Sequence, residues 1–302
     1  MAGGAVVAGG TVPVMTRLVA CYWTVAGPVD IHYGREWSTF DWRDRCAHAA
    51  RVGFSGVGLW SADIEHQLEV RSIAEMAEIF RDAGLRDIEI EFAQDFFMPE
   101  GSPQKAESDR VKPILFEAAA AFDAHHIKAG NIPAAECDFD HLAEALARLC
   151  AEAAEHTDAK IAYEIIPTDP QVDSLEDALE LVRRAGAPPN LGIAIDTWHM
   201  SKLGISPEQL AAVDIGQIAW VELSDGHFHN LDDFVYEVTC DRRLPGEGEF
   251  DIPGYVRALQ AAGYDQPWGV EVLSADLRSL PIEEAFTRAY ETSQAQFTAG
   301  VA

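Results

Sequence analysis

A chain of 302 residues, 48% hydrophobic and 24% charged, has enough apolar surface for a large buried core, which excludes a disordered polymer. Its formal net charge of -28 repels the phosphate backbone and anionic lipid, which are bound through clustered Lys and Arg; nucleic acid and membrane are therefore excluded as partners. Cys21, Cys46, Cys137, Cys150 and Cys240 are odd in number and have no CxxC pair, which argues against a disulfide framework or a zinc knuckle.

Residues 1–14 are small and Gly-rich and lack the cationic start and long apolar stretch of a signal peptide. They read as a flexible leader ahead of one domain over 15–302. No apolar run approaches the roughly 18 residues that a membrane span needs, and the cytoplasm is the expected compartment.

From Arg17 onward, short β-rich apolar runs alternate with amphipathic segments. The expected strand at 18–23 precedes a helix at 42–51, and a strand at 56–60 precedes a helix at 73–83. A strand at 87–92 then leads to a helix at 112–122, a strand at 126–130 and a helix at 142–155. A strand at 160–165, a helix at 175–185 and strands at 192–196 and 218–223 follow. A helix at 252–262 and a strand at 268–272 close the series. Gly84, Gly186 and Gly263 follow three of the helical segments and suit a left-handed helix end.

Eight strands alternating with helices is the count of an α/β fold of the (β/α)8 TIM barrel type, here as a single domain. Two connections are long, 95–109 and 226–250, and both follow a strand, at the end where barrels build their sites. A doubly wound sheet is the competing architecture. It usually carries a Gly-rich phosphate loop after its first strand, and TVAGPVDIHYG after Trp23 contains neither GxGxxG nor GxxxxGK[ST].

The late strands end in acids: Glu164 in IAYEIIP, Asp196 in GIAIDTWH, Glu222 in AWVELSDG and Glu271 in WGVEVLS. In a barrel, side chains pointing inward at those ends converge. Four like charges cannot all stay ionised a few ångströms apart, so the cluster calls for a hard divalent cation or for neutralisation by Lys128, Arg242 or Arg243. Oxygen ligands favour Mg2+ or Mn2+ over Zn2+. Trp60, Glu91 and Lys128 end the second, third and fourth strands, and His66 follows the second at loop distance. Trp60 is read as a face for a sugar ring or as core, and Lys128 as a hydroxyl or carbonyl ligand or as a partner of Glu91 or Glu164.

The run of Glu164, then Asp196-Thr-Trp-His199, then VELSD, then RRLPGEGEFD, then VEV resembles the xylose-isomerase-like TIM barrel superfamily, specifically its sugar phosphate isomerase/epimerase group. The resemblance covers about residues 16–296. It implies a metal held by Glu, Asp, His and Glu of successive late strands, roles that fall on Glu164, Asp196, Glu222 and Glu271. VELSD departs from the pattern, since Glu222 stands where the family usually shows His; His227 or His229 folding back from the next loop is the alternative ligand. The resemblance also implies a substrate contact for His199 and a substrate-binding Arg at Arg243.

The activity so implied is a metal-dependent isomerase or epimerase acting through an enediolate on a keto-sugar or related polyol carbonyl, with Glu164 and Glu271 as paired acid and base. The alternatives are a metal-dependent lyase or dehydratase eliminating a β-substituent from a keto-sugar, 3-keto-glycoside or inosose, and a non-catalytic carbohydrate-binding barrel. The partner expected is a small carbohydrate, and the assembly expected of such barrels is a homo-oligomer.

Overall fold

The computed structural model describes residues 16–31 and 34–299; the expected leader over 1–14 lies outside them. Eight parallel strands close into a barrel in sequence order. They are β1 (Leu18–Ala20), β2 (Gly56–Trp60), β3 (Asp87–Ala93), β4 (His126–Ala129), β5 (Lys160–Glu164), β6 (Leu191–Asp196), β7 (Ile218–Leu223) and β8 (Trp268–Val270). Closure comes from β1, which pairs Val19 with Gly56 on one side and Leu18 with Trp268 on the other. The surrounding helices make this a single-domain TIM barrel.

Each strand reads as nearly continuous apolar sequence because both of its faces are covered. Outward residues such as Leu18, Ile161, Tyr163, Ile193 and Val221 join the large core between barrel and helices. Inward residues Val19, Cys21, Ala162, Ala194, Ala219 and Trp220 form a separate small cluster inside the barrel. With a side-chain period of two, the next inward positions beyond Ala162, Ala194 and Trp220 are Glu164, Asp196 and Glu222, and Glu271 follows the end of β8. The helices carry the complementary stripe. Between Leu175 and Arg184 the buried positions are Leu175, Ala178, Leu181 and Val182, spaced three and four apart, and Ser174 caps the helix through the Asp177 amide.

The elements differ from the sequence expectation in several places; the last strand ends at Val270, so Glu271 lies just beyond it, and helices such as Ser61–Leu68 and Ile282–Gln296 are further additions. The first strand stops at Ala20, and Tyr22–Val25 turn into a short helix whose aromatics face the barrel mouth. The helix expected at 112–122 starts at Pro103, with Ser102 accepting the Lys105 amide as its cap. Pro113 lies inside that helix, at a position where proline usually breaks it. The break is overridden by burial of Leu115, Phe116, Ala118, Ala119 and Phe122. The long connection after β7 holds a further helix, Phe234–Cys240, over the mouth.

That connection is pinned by Asp225. Its carboxylate accepts the amides of Gly226, Gly246, Gly248 and Phe250, so one buried acid folds the PGEGEF turn back on β7. A Cβ at Gly248 would meet Asp225 Oδ1 at 2.2 Å, which explains the glycine. The glycines expected to end helices, Gly84, Gly186 and Gly263, have φ of 86°, 85° and 96°.

Candidate functional site

A cavity of about 360 Å3 opens at the C-terminal mouth. Its floor presents Glu91, Lys128, Glu164, His199, Arg242 and Glu271. Its wall is apolar, with Trp23, Trp60, Phe92, Ile166 and Leu273 packed together and Phe234 and Val238 above them. Trp23 and Trp60 lie 4.9 Å apart at the ring centroids, and Trp60 Nε1 donates to Glu36 at 3.0 Å. Few polar groups converging under an apolar wall is the usual make-up of a small-molecule site.

Beneath the floor, Glu89, Asp196 and Glu222 have no solvent exposure. Glu164, Asp196, Glu222 and Glu271 each offer an oxygen, and these atoms lie within 4.8 Å of one another, a grouping able to gather a divalent cation. The chain's own cations occupy the same oxygens. Lys128 Nζ donates to Glu222 at 2.9 and 3.0 Å and to Glu271 at 2.9 Å. It lies 3.4 Å from Glu91, 3.7 Å from Glu89 and 3.8 Å from Glu164. Arg242 Nη1 donates to Asp196 at 2.6 Å and stands 3.6 Å from Glu271. The donors are close enough for a metal ion, whereas three of the four, Glu164, Glu222 and Glu271, already face the Lys128 ammonium and the fourth, Asp196, faces Arg242.

The protonation pattern follows from this crowding. Burial, and then the neighbouring Glu91 and Glu222, push the Glu89 carboxyl well above its usual range. Burial pushes Glu91 up to about 8, against the pull of Lys128. Burial likewise raises Glu164, against the pull of Lys128, with Glu271 and Glu222 adding to the rise. Burial alone would lower Lys128, but Glu164, Glu222, Glu271 and Glu91 together outweigh it and raise the ammonium. His199 is pushed well below the ordinary imidazole range by burial and by Arg242. Its Nδ1 lies 2.9 Å from the Ile165 carbonyl and its Nε2 lies 3.1 Å from Arg242 Nη2. The neutral ring thus donates from Nδ1 and accepts at Nε2.

Of the residues singled out in the sequence, Glu164, Glu271, Lys128, His199 and Trp60 line the cavity, and Asp196 and Glu222 lie under it. His199 sits in the first turn of the helix Thr197–Leu203 that Asp196 caps. Arg243 is outside the cavity: its guanidinium pairs with Asp241 at 2.8 Å while its backbone bridges Asp225, and Arg242 points inward in its stead. His66 is also outside, stacked on Trp37 at 5.3 Å and 3.6 Å from Glu69. His227 and His229 do not fold back to the carboxylates; they group with Glu249 on the outer loop. Glu89 is the addition, and Arg242, named in the sequence as a neutralising cation, pairs with Asp196 in the place expected of Arg243. The alternation in DIEIEFA carried the signal for Glu89, since Glu89 and Glu91 must share a face.

Residues 46–294 match the model of the xylose isomerase-like TIM barrel family. The chain belongs to that family. Among characterised relatives, 240 residues are 28% identical to a 3-dehydroshikimate dehydratase of Pseudomonas aeruginosa, covering 77% of this chain and 36% of that one. The chain thus spans about a third of the dehydratase's length. An inosose isomerase of Bacillus velezensis is 29% identical over 157 residues, 51% of this chain and 53% of the isomerase. Among solved structures, the IOLI protein with a bound zinc atom superimposes with a TM-score of 0.77 at 19% identity, over 94% of this chain and 98% of that one. No helix among the described residues is long and apolar enough to cross a membrane.

Proposed function

We propose that the chain is an enzyme that enolises an unphosphorylated polyhydroxylated ketone, a keto-sugar or keto-cyclitol, and acts as an isomerase or epimerase. The observation that carries this reading is the placement of two carboxyl groups, Glu164 and Glu271, in the cavity floor, both within 4 Å of the Lys128 ammonium. Glu271 is the base that takes the proton next to the carbonyl. The carbonyl electron pair moves onto oxygen, and the cationic floor stabilises the enediolate. Glu164, whose protonated form burial favours, gives a proton to carbon, leaving Glu271 protonated and Glu164 ionised until both exchange with solvent. Arg242 and His199 hold neighbouring hydroxyls, and Trp60 covers the apolar face of the ring.

The lack of phosphate follows from the same floor. Among the described residues that line the cavity, the cations are Lys128 and Arg242, and both are already engaged by carboxylates. Enolisation adds no net charge to the floor, because Glu271 takes up the proton as the enediolate forms, whereas a phosphoryl group would bring about two negative charges to acids that already engage both cations.

Elimination is the second reading. It is favoured by Glu91, which lines the cavity and at about 8 stays protonated at neutral pH, able to give a proton to a leaving β-hydroxyl. The enolate then collapses to the enone with loss of water. The similarity to a dehydratase supports it. In either reading the all-oxygen grouping of Glu164, Asp196, Glu222 and Glu271 would suit Mn2+ or Mg2+ better than Zn2+, were an ion to take the seat of Lys128.

The test is solvent deuterium uptake into a panel of inososes, ketoses and 3-dehydroshikimate, with product identification by NMR. Deuterated epimer or isomer supports the first reading and an enone the second. Glu271→Gln is expected to keep the fold and lower exchange by at least about 100-fold; undiminished exchange in that variant would sink the assignment of the base.

A further inference from the structure

We propose that Lys128 is the resident cation of this site: its ammonium group, and not a metal ion, sits at the centre of the carboxylates and is the electrophile that faces the substrate carbonyl. The ammonium is bonded to Glu222 and Glu271 and lies within 4 Å of Glu89, Glu91 and Glu164. Asp196, the remaining acid, is taken by Arg242. Lys128 projects from β4 into the barrel with its side chain 1% exposed, and its ammonium faces carboxylates from β3, β5 and β7 and from the end of β8. An ion bound to the same oxygens would stand within about 4 Å of Nζ, and two positive charges at that distance in a buried site repel strongly.

Glu222 supplies the counter-charge from β7. A neutral side chain at this point would not give the ammonium one. A carboxylate does, and both Glu222 oxygens accept from Lys128 while Oε1 also accepts from Trp220 Nε1 at 2.8 Å. Lys128 in β4 and Glu222 in β7 therefore form one unit: a monovalent cation carried by the chain, with an anion to hold it. Occupancy by Lys128 does not depend on the substrate. The role of electrophile rests on the enolisation reading, and there Lys128 and Arg242 donate to the developing enediolate oxygen from the cavity floor.

Mn2+ titration of the full chain, followed by EPR and equilibrium dialysis, tests occupancy directly. The His229→Ala background removes the exposed group of His227, His229 and Glu249 from the count. The chain with Lys128 intact is expected to hold no Mn2+ at about 1 mM, the weak end of the affinity scale. Lys128→Met is expected to gain one Mn2+ per chain, bound on the order of 100-fold or more tighter, because a repelling charge has left the seat. One Mn2+ per intact chain at micromolar affinity, lost on Asp196→Asn, would overturn the proposal. So would a folded Lys128→Met, checked by circular dichroism, that binds no better than the parent; if that variant does not fold, the titration of the intact chain decides. In the exchange assay, activity of the intact chain surviving EDTA supports the ammonium as electrophile, and loss restored by Mn2+ refutes it. A chain that exchanges no ketone leaves the titration result standing and removes only the reaction.

Discussion

Asp63 has no solvent exposure and serves two partners at once. One oxygen accepts from Arg45 Nη2 at 2.5 Å and the other from the Ser38 amide at 3.0 Å. Arg45 is itself 2% exposed and lies over the Tyr22 and Trp42 rings. Ser38 belongs to the segment that brings Ile31 and Glu36 to the cavity wall, so the pair ties that wall to the helix Trp42–Val52. Asp63→Asn keeps the size and removes the charge, leaving a buried guanidinium uncompensated. The expected loss is about 3–5 kcal/mol of stability in denaturant unfolding, with a raised KM from the loosened wall; a change under about 1 kcal/mol would show the pair to be dispensable. At this scale the sequence was legible where polarity contradicted position: an acid closing each of four apolar runs marks a polar floor shared by the strands that carry it. Arg242 was not legible against Arg243, because adjacent residues face opposite ways and only the Asp225 pairing decides which one turns inward. Nor could Lys128 be assigned one role, since its charge has meaning only among carboxylates that come from other strands or their ends.

Gly56 opens β2 opposite Asp87, and a Cβ there would lie 1.4 Å from the Asp87 carbonyl oxygen. No side-chain rotation relieves a clash with backbone, so Gly56→Ala must part β2 from β3 or shift their register. Because β3 carries Glu89 and Glu91 on its inner face, the expected result is a loss of about 3 kcal/mol or more in unfolding free energy together with a distorted site. A variant with unchanged stability would show that the barrel flexes at this joint. The strand ends were readable to within a few residues because parallel strands buried on both faces leave apolar runs bounded by polar turns. The helix Pro103–Phe122 was read only in its second half. Ser102 and Pro103 form a regular helix start, but Pro113 looks like a stop, and what overrides it is the fit of the following apolar stripe against β3 and β4. Tertiary burial of that kind is absent from a local pattern.

The whole molecule carries 50 acidic against 22 basic residues, so most acids have no basic partner and the fold is held against its own charge. The ion pairs work the other way. Exposed ones such as Arg183 with Glu180 contribute little and weaken in salt, whereas the buried set around Lys128 and Arg45 is poorly screened. Raising the salt from about 0.02 M to 0.5 M shortens the screening length from roughly 20 Å to roughly 4 Å, which removes long-range repulsion while leaving close contacts largely in place. The net effect is therefore stabilising. The melting temperature is expected to rise by several degrees, since a chain of this size gains about 2 °C per kcal/mol. Differential scanning calorimetry at both salt concentrations measures it, and a fall on adding salt would mean that surface pairs, and not the excess of acids, set the electrostatic balance. The eight-strand count was legible at this scale because each βα unit repeats the same alternation. The net charge said little of the site, where Lys128 and Arg242 are buried among acids and offset part of their charge.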